Sequence, residues 1–87
     1  MEASDRTLML RYQRGDREAF AQLVRRYQTP LYNYVLHQLG VSSAAEEIAR
    51  HVFLGVVRES ASFKEDYSFS TWLFSLAQRA CRRERAR

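Results

Sequence analysis

Apolar residues recur every three or four positions in four stretches of the chain, with short polar or glycine-bearing breaks between them. That period is helical, and no stretch alternates as a strand would. Ser4 or Asp5 can cap a first helix reaching about Arg14, with Leu8 and Tyr12 one turn apart. Gly15 is a natural stop and Asp16 a natural cap for the second helix. Its stripe is Phe20, Leu23, Val24, Tyr27, Leu31, Tyr34 and Val35, and Gly40 ends it. Pro30 lies inside this stripe, which predicts a kink or a break near Thr29.

Ser43 and Glu46 have capping-box spacing for a third helix. Its inward face is Ala45, Ile48, Ala49, Val52, Phe53, Val56 and Val57, and its outer face carries Glu47, Arg50, His51, Leu54 and Arg58. Leu54 is an apolar residue among charges, either a lone surface leucine or the centre of a partner-binding patch. A polar loop at residues 60–70 contains Phe63, Tyr67 and Phe69. Thr71 or Ser70 then caps a fourth helix that turns Trp72, Leu73, Leu76, Ala77 and Ala80 inward and keeps Gln78, Arg79, Arg82 and Arg83 largely outside. The predicted architecture is all-α, a compact four-helix bundle forming one domain over 1–87, with helices at about 5–14, 16–39, 43–60 and 71–85.

Composition agrees with one small packed domain: 46% of residues are hydrophobic and 13% aromatic, with three glycines and one proline to make turns. No apolar run approaches the ~20 residues of a membrane span, and the start MEASDRTLML lacks a signal-peptide layout. The single cysteine, Cys81, excludes an internal disulfide framework and fits a reducing, cytoplasmic compartment.

Charge changes the picture more. Basic and acidic side chains cancel over residues 1–70, so the whole net charge of +4 comes from residues 71–87, where five arginines face Glu84 alone. A concentrated cationic patch is a footprint for a polyanion, although cations at a helix C-terminus are also favoured by its dipole. Catalytic chemistry is not legible. His37, His51 and Cys81 lack metal-ligand spacing, and there is no phosphate loop or nucleophile elbow. Glu46 and Glu47 are a pair only by adjacency. Neither an enzyme nor a cofactor is expected. An aromatic loop beside a basic helix is instead how proteins hold single-stranded nucleic acid, with bases against aromatics and arginines along phosphates. Lys64, Tyr67 and Ser68 are the candidate exposed contacts, while Phe63 and Phe69 serve to pin the loop, Phe69 mostly as core.

The order of these features resembles region 2 of sigma factors of the extracytoplasmic-function (ECF) group. "RGDREAFAQLVRRYQTPLYNYVLHQLG", "AAEEIARHVF" and the Phe-x5-Phe-Ser-Thr-Trp-Leu element at Phe63 to Leu73 carry the likeness, which spans about Leu8 to Arg85. It implies a non-catalytic domain that docks on the clamp helices of the largest RNA polymerase subunit through its third helix, here Glu46, Glu47, Arg50, His51 and Leu54. It also implies recognition and melting of the promoter minus-ten element as unpaired non-template strand. The loop before the last helix would capture a flipped base with Lys64, Tyr67 and Ser68. The last helix would hold neighbouring bases and phosphates with Gln78, Arg79, Arg82 and Arg83. The sequence departs from the family at two places. The first Asp and the Gln-Glu pair of the docking stretch are Ala44 and Arg50-His51, so an acidic-polar face has become basic; the Arg-Asn pair of the last helix reads Gln78-Arg79. There is no room for a region 4 after Arg87, so a single region 2 domain is expected, either cut at the linker to region 4 or naturally without one. Two other readings stand beside this one. A sigma-like bundle could instead bind a regulator such as an anti-sigma factor through Leu54 and the fourth helix, and a sequence-neutral nucleic-acid binder would use the basic patch alone.

Overall fold

The computed structural model describes residues 2–87. It consists of α1 (Asp5–Gln13), α2 (Arg17–Leu39), α3 (Ser42–Glu59), a 3-10 turn (Ser60–Ser62) and α4 (Phe69–Arg85). Helix α2 is the central member and packs on the other three, while α4 closes against α3. The fold is the all-α four-helix domain expected. Among the described residues no helix is long and apolar enough to cross a membrane.

Most helix ends are set by the residues the sequence marks. The Ser4 side chain accepts from the Thr7 amide at 3.1 Å, and Asp16 accepts from the Ala19 amide at 3.2 Å. Each satisfies an amide that would otherwise lack a partner in the first turn. Gly15 (φ +101°) and Gly40 (φ +75°) occupy the left-handed region that a side chain disfavours. The Gly40 amide closes α2 by donating to the Leu36 carbonyl at 2.7 Å.

The break allowed at Pro30 does not occur, and three local expectations need correction. Helix α2 runs without a break from Arg17 to Leu39 with Pro30 inside it. Pro30 is exposed, and the fully buried Leu31 and Val35 beyond it hold the second half of the helix in the core. The Ser43–Glu46 capping box is not used, because α3 begins one residue earlier with Val41 as an extended N-cap that makes no side-chain bond. Val57 is 41% exposed rather than inward, and Phe53 is only partly buried. The buried stripe follows Ala45, Ile48, Ala49, Val52, Gly55 and Val56, and Val57 turns roughly 100° away from Val56. Finally, α4 starts at Phe69 with Ser68 as its cap, two residues before the expected start.

The core is one cluster. Leu8 and Met9 of α1, Leu23, Leu31 and Val35 of α2, Val56 of α3, and Leu73 and Cys81 of α4 are all essentially inaccessible. Burial raises the Cys81 thiol above its ordinary pKa, against a smaller lowering by Arg85. A polar cluster ties α1 to α2. Asp5 accepts from Arg26 at 2.8 Å and from the Tyr27 hydroxyl. Burial and Asp5 together push Tyr27 up to about 12. The Tyr27 ring packs on Phe69 at 5.5 Å, which seats the first turn of α4.

Candidate nucleic-acid interface

The connection between the 3-10 turn and α4 is built on aromatic rings. Phe63 is the hub, with its centroid 5.4 Å from Trp72, 6.0 Å from Tyr67 and 6.1 Å from Phe69, all edge-on. Edge-to-face contacts at these distances are attractive beyond the area they bury. Phe63 and Phe69 are each 3% exposed, so both belong to the core, as the sequence suggested for Phe69. Tyr67 is 38% exposed and Trp72 is partly buried. The buried pair therefore forms a pedestal, and the other two rings remain partly accessible to solvent.

Between those two rings lies a hollow of about 300 Å³, lined by Tyr67, Ser68, Thr71, Trp72 and Ser75. Its walls are aromatic faces and hydroxyl groups without any charged side chain. Ser68 is fixed as the α4 cap, its hydroxyl accepting from the Thr71 amide at 3.4 Å and lying 3.3 Å from the Ser70 hydroxyl. The Ser75 hydroxyl donates to the Trp72 carbonyl at 2.6 Å, which leaves its oxygen free to accept. Such a hollow can receive a planar ring beside its aromatic walls and hydrogen-bond its edge.

The loop is held from outside by α1. The Gln13 amide nitrogen donates to the Ser60 carbonyl at 2.7 Å and the Phe63 carbonyl at 2.8 Å. The Arg6 guanidinium donates to the Tyr67 carbonyl at 3.4 Å. The loop closes on itself where the Tyr67 amide donates to the Lys64 carbonyl at 2.9 Å.

All the residues singled out from the sequence lie exposed on the surface, but they do not form one face. Counting ~100° per residue, Thr71, Ser75, Gln78, Arg79 and Arg82 share a stripe of α4 that leads away from the hollow. Lys64, Tyr67 and Ser68 stand at its start. Arg79 is engaged by Glu59 of α3 at 3.2 Å, an ion pair exposed to solvent on both sides. Arg82 makes no ion pair among the described residues. Arg83, about 40° further round α4 than Arg79, lines a second hollow, between α3 and α4, whose lining includes His51 and Leu54. Glu46, Glu47 and Arg50 lie on the exposed side of α3, outside that lining. Sequence reasoning missed Thr71 and Ser75 and placed Trp72 inward. The signal was the hydroxyl repeat Ser68, Thr71, Ser75 at helical spacing. It missed Gln13, Arg6 and Glu59 because their partners are remote in the chain.

The Sigma-70 region 2 family profile matches residues 23–87. The chain belongs to that family. Among curated members, the RNA polymerase sigma-H factor of Pseudomonas aeruginosa is 32% identical over 76 residues, which is 87% of this chain and 39% of that protein. The ECF RNA polymerase sigma factor SigW of Bacillus subtilis is 32% identical over 77 residues, 88% of this chain and 41% of that protein. The ECF RNA polymerase sigma-E factor of Escherichia coli is 33% identical over 76 residues, 87% of this chain and 39% of that protein. This region 2 chain thus spans about two fifths of the length of these relatives. An NMR structure of an engineered region 2 of sigmaE in complex with GTAAAA superposes with a TM-score of 0.90 at 30% identity, covering 99% of this chain and 92% of that one.

Proposed function

We propose that this region 2 domain is the promoter-reading part of an ECF-type sigma factor and works without catalysing a reaction. It recognises the minus-ten element as an unpaired non-template strand in the cytoplasm. The observation that carries this reading is the charge-free aromatic and hydroxyl hollow at the start of α4, followed on the same helix by a polar and cationic stripe. A flipped base enters between Tyr67 and Trp72, with Ser68, Thr71 and Ser75 reading its edge. Lys64, Gln78, Arg79 and Arg82 follow the strand beyond it. Extruding a base costs a few kcal/mol, which stacking at roughly 1–3 kcal/mol per base offsets. The exposed side of α3, with Glu46, Glu47, Arg50, His51 and Leu54, is the docking face for the clamp helices of core RNA polymerase. The match of the engineered sigmaE region 2, which was solved bound to GTAAAA, supports the nucleic-acid half of this reading.

The test is binding to a panel of six-nucleotide single strands that includes GTAAAA. The expected result is a preferred subset at least about tenfold tighter than the rest, since one wrong base costs roughly 1–3 kcal/mol in specific recognition. Trp72→Ala should abolish the preference. Equal affinity across the panel with a steep salt dependence would reduce the domain to a sequence-neutral binder.

A second reading has its own observation. The exposed Leu54 and the α3–α4 hollow suit a protein partner, so an anti-sigma regulator is a candidate occupant of the same face. Binding of a clamp-helix fragment, compared with the Arg50→Gln, His51→Glu double variant, separates the two. Tight binding by the natural chain favours polymerase docking, and binding restored only by the double change favours the regulator.

A further inference from the structure

The hollow between α3 and α4 has a volume of about 410 Å³ and lies away from the nucleic-acid stripe. Ala80 and Arg87, which α4 contributes to it, sit more than about 100° around that helix from Ser75. Ile48, Leu54 and Ala80 supply an apolar floor, with Leu54 48% exposed. Val57, on the next turn of α3, is 41% exposed and extends this apolar strip. The rim is cationic, with Arg58 from α3 and Arg83 and Arg87 from α4, and His51 beside them. Glu84 is the single acid in the lining, and it is engaged by Arg87 at 3.1 Å. Arg58 and Arg83 make no ion pair among the described residues.

An apolar floor with a basic rim is mismatched to a phosphate backbone, which would leave Leu54 and Val57 uncovered. It is equally mismatched to a basic or neutral protein helix, because the rim guanidiniums would face like charge or none. We propose that this groove seats one acidic amphipathic helix of a partner protein. Its aliphatic side chains would enter between Ile48, Leu54 and Ala80, and its flanking carboxylates would meet Arg58 and Arg83. This is the helix-in-groove mode of recognition, in which apolar anchors give affinity and rim charges give selectivity. The inference deepens the docking reading of α3, because Leu54 and His51 belong to both surfaces. Occupation by the acidic helix therefore excludes any partner that needs them, while leaving the hollow at Tyr67 and Trp72 open.

The test uses a labelled synthetic amphipathic peptide with leucines on one helical face and glutamates beside them. The same peptide with lysines for glutamates and one with serines for leucines are the controls. The glutamate peptide should bind at least about tenfold more tightly than either control, a difference of roughly 1.4 kcal/mol. Amide shifts should concentrate on α3 from Ile48 to Arg58 and on α4 from Ala80 to Arg87. Arg58→Glu and Leu54→Lys should each abolish peptide binding while binding of GTAAAA is retained, both residues being exposed and on α3. Arg83→Glu provides a further rim variant, read for peptide binding alone. Equal binding of glutamate and lysine peptides, absence of binding, or displacement of the peptide by a random single strand would each overturn the proposal. Affinity for GTAAAA, measured on the same samples, reports separately on the nucleic-acid reading.

Discussion

Replacing Gln13 with alanine removes two hydrogen bonds in one step and leaves the core untouched. The Gln13 amide reaches the Ser60 carbonyl at 2.7 Å and the Phe63 carbonyl at 2.8 Å, bridging the end of α1 to the start of the loop that leads into α4. A net intramolecular hydrogen bond contributes about 0.5–1.5 kcal/mol. The Ser60 carbonyl sits at an exposed position and regains water, whereas the Phe63 bond is partly buried. The combined loss should therefore be about 1–2 kcal/mol. For a domain of this size each kcal/mol moves the midpoint by about 4–8 °C, so Tm should fall by about 5–15 °C. Gln13→Glu should do no better, because a carboxylate has no proton to donate. Hydrogen exchange supplies the local readout. The amides of Phe63 and Tyr67, which donate to Ser60 and Lys64, should exchange faster in the variant than amides of α3. Preference among single strands should weaken more than overall affinity, because the hollow loses its shape while the cations stay. An unchanged Tm together with unchanged loop exchange would show that α1 does not hold the loop.

Arg82→Ala should reduce the slope of log affinity for single strands against log salt by about 0.7, and Glu59→Gln, which frees Arg79, should raise affinity by less than about fivefold, since a solvent-exposed ion pair is worth under ~1 kcal/mol. Both are read by titrating single strands over a range of salt. Gly55→Ala should stabilise α3 by up to about 1 kcal/mol, because an added Cβ there meets only the flexible end of Arg58 at 3.9 Å; urea unfolding checks it. Tyr27 is pushed up to about 12 from a tyrosine's ordinary 10.0, so the unfolded chain loses this proton before the native one does. Its contribution is complete below pH 10 and declines as pH rises toward 12. Tyr27→Phe should remove that part of the decline in urea midpoints.

Much of the fold was legible because it is written in local chemistry. Ser4 and Asp16 cap, Gly15 and Gly40 stop, and the apolar period between them sets the buried faces. Pro30 left open a break that does not occur, because Leu31 and Val35 beyond it are anchored in the core. The misreadings also have local causes. Ser43 and Glu46 have the right spacing for a capping box, yet Val41 is the extended residue from which α3 departs. At the candidate site, charge and aromaticity marked Tyr67, Lys64 and the α4 arginines. They did not reveal that Glu59 engages Arg79 or that Arg83 belongs to another groove. Those facts depend on how α3 and α4 face one another. Gln13 was the least visible, because its partners lie 47 and 50 residues away.

The family match begins at Leu23, and every residue lining the hollow lies within it. The helix that steadies the hollow does not. A fragment trimmed to that boundary would keep the lining of the hollow and discard Gln13 and Arg6, along with the Leu8 and Met9 that fill the core. It would carry every residue of the proposed site and lack the splint that sets it. The profile boundary and the boundary of mechanical self-sufficiency are different places in this domain, and the nine-residue α1 lies between them.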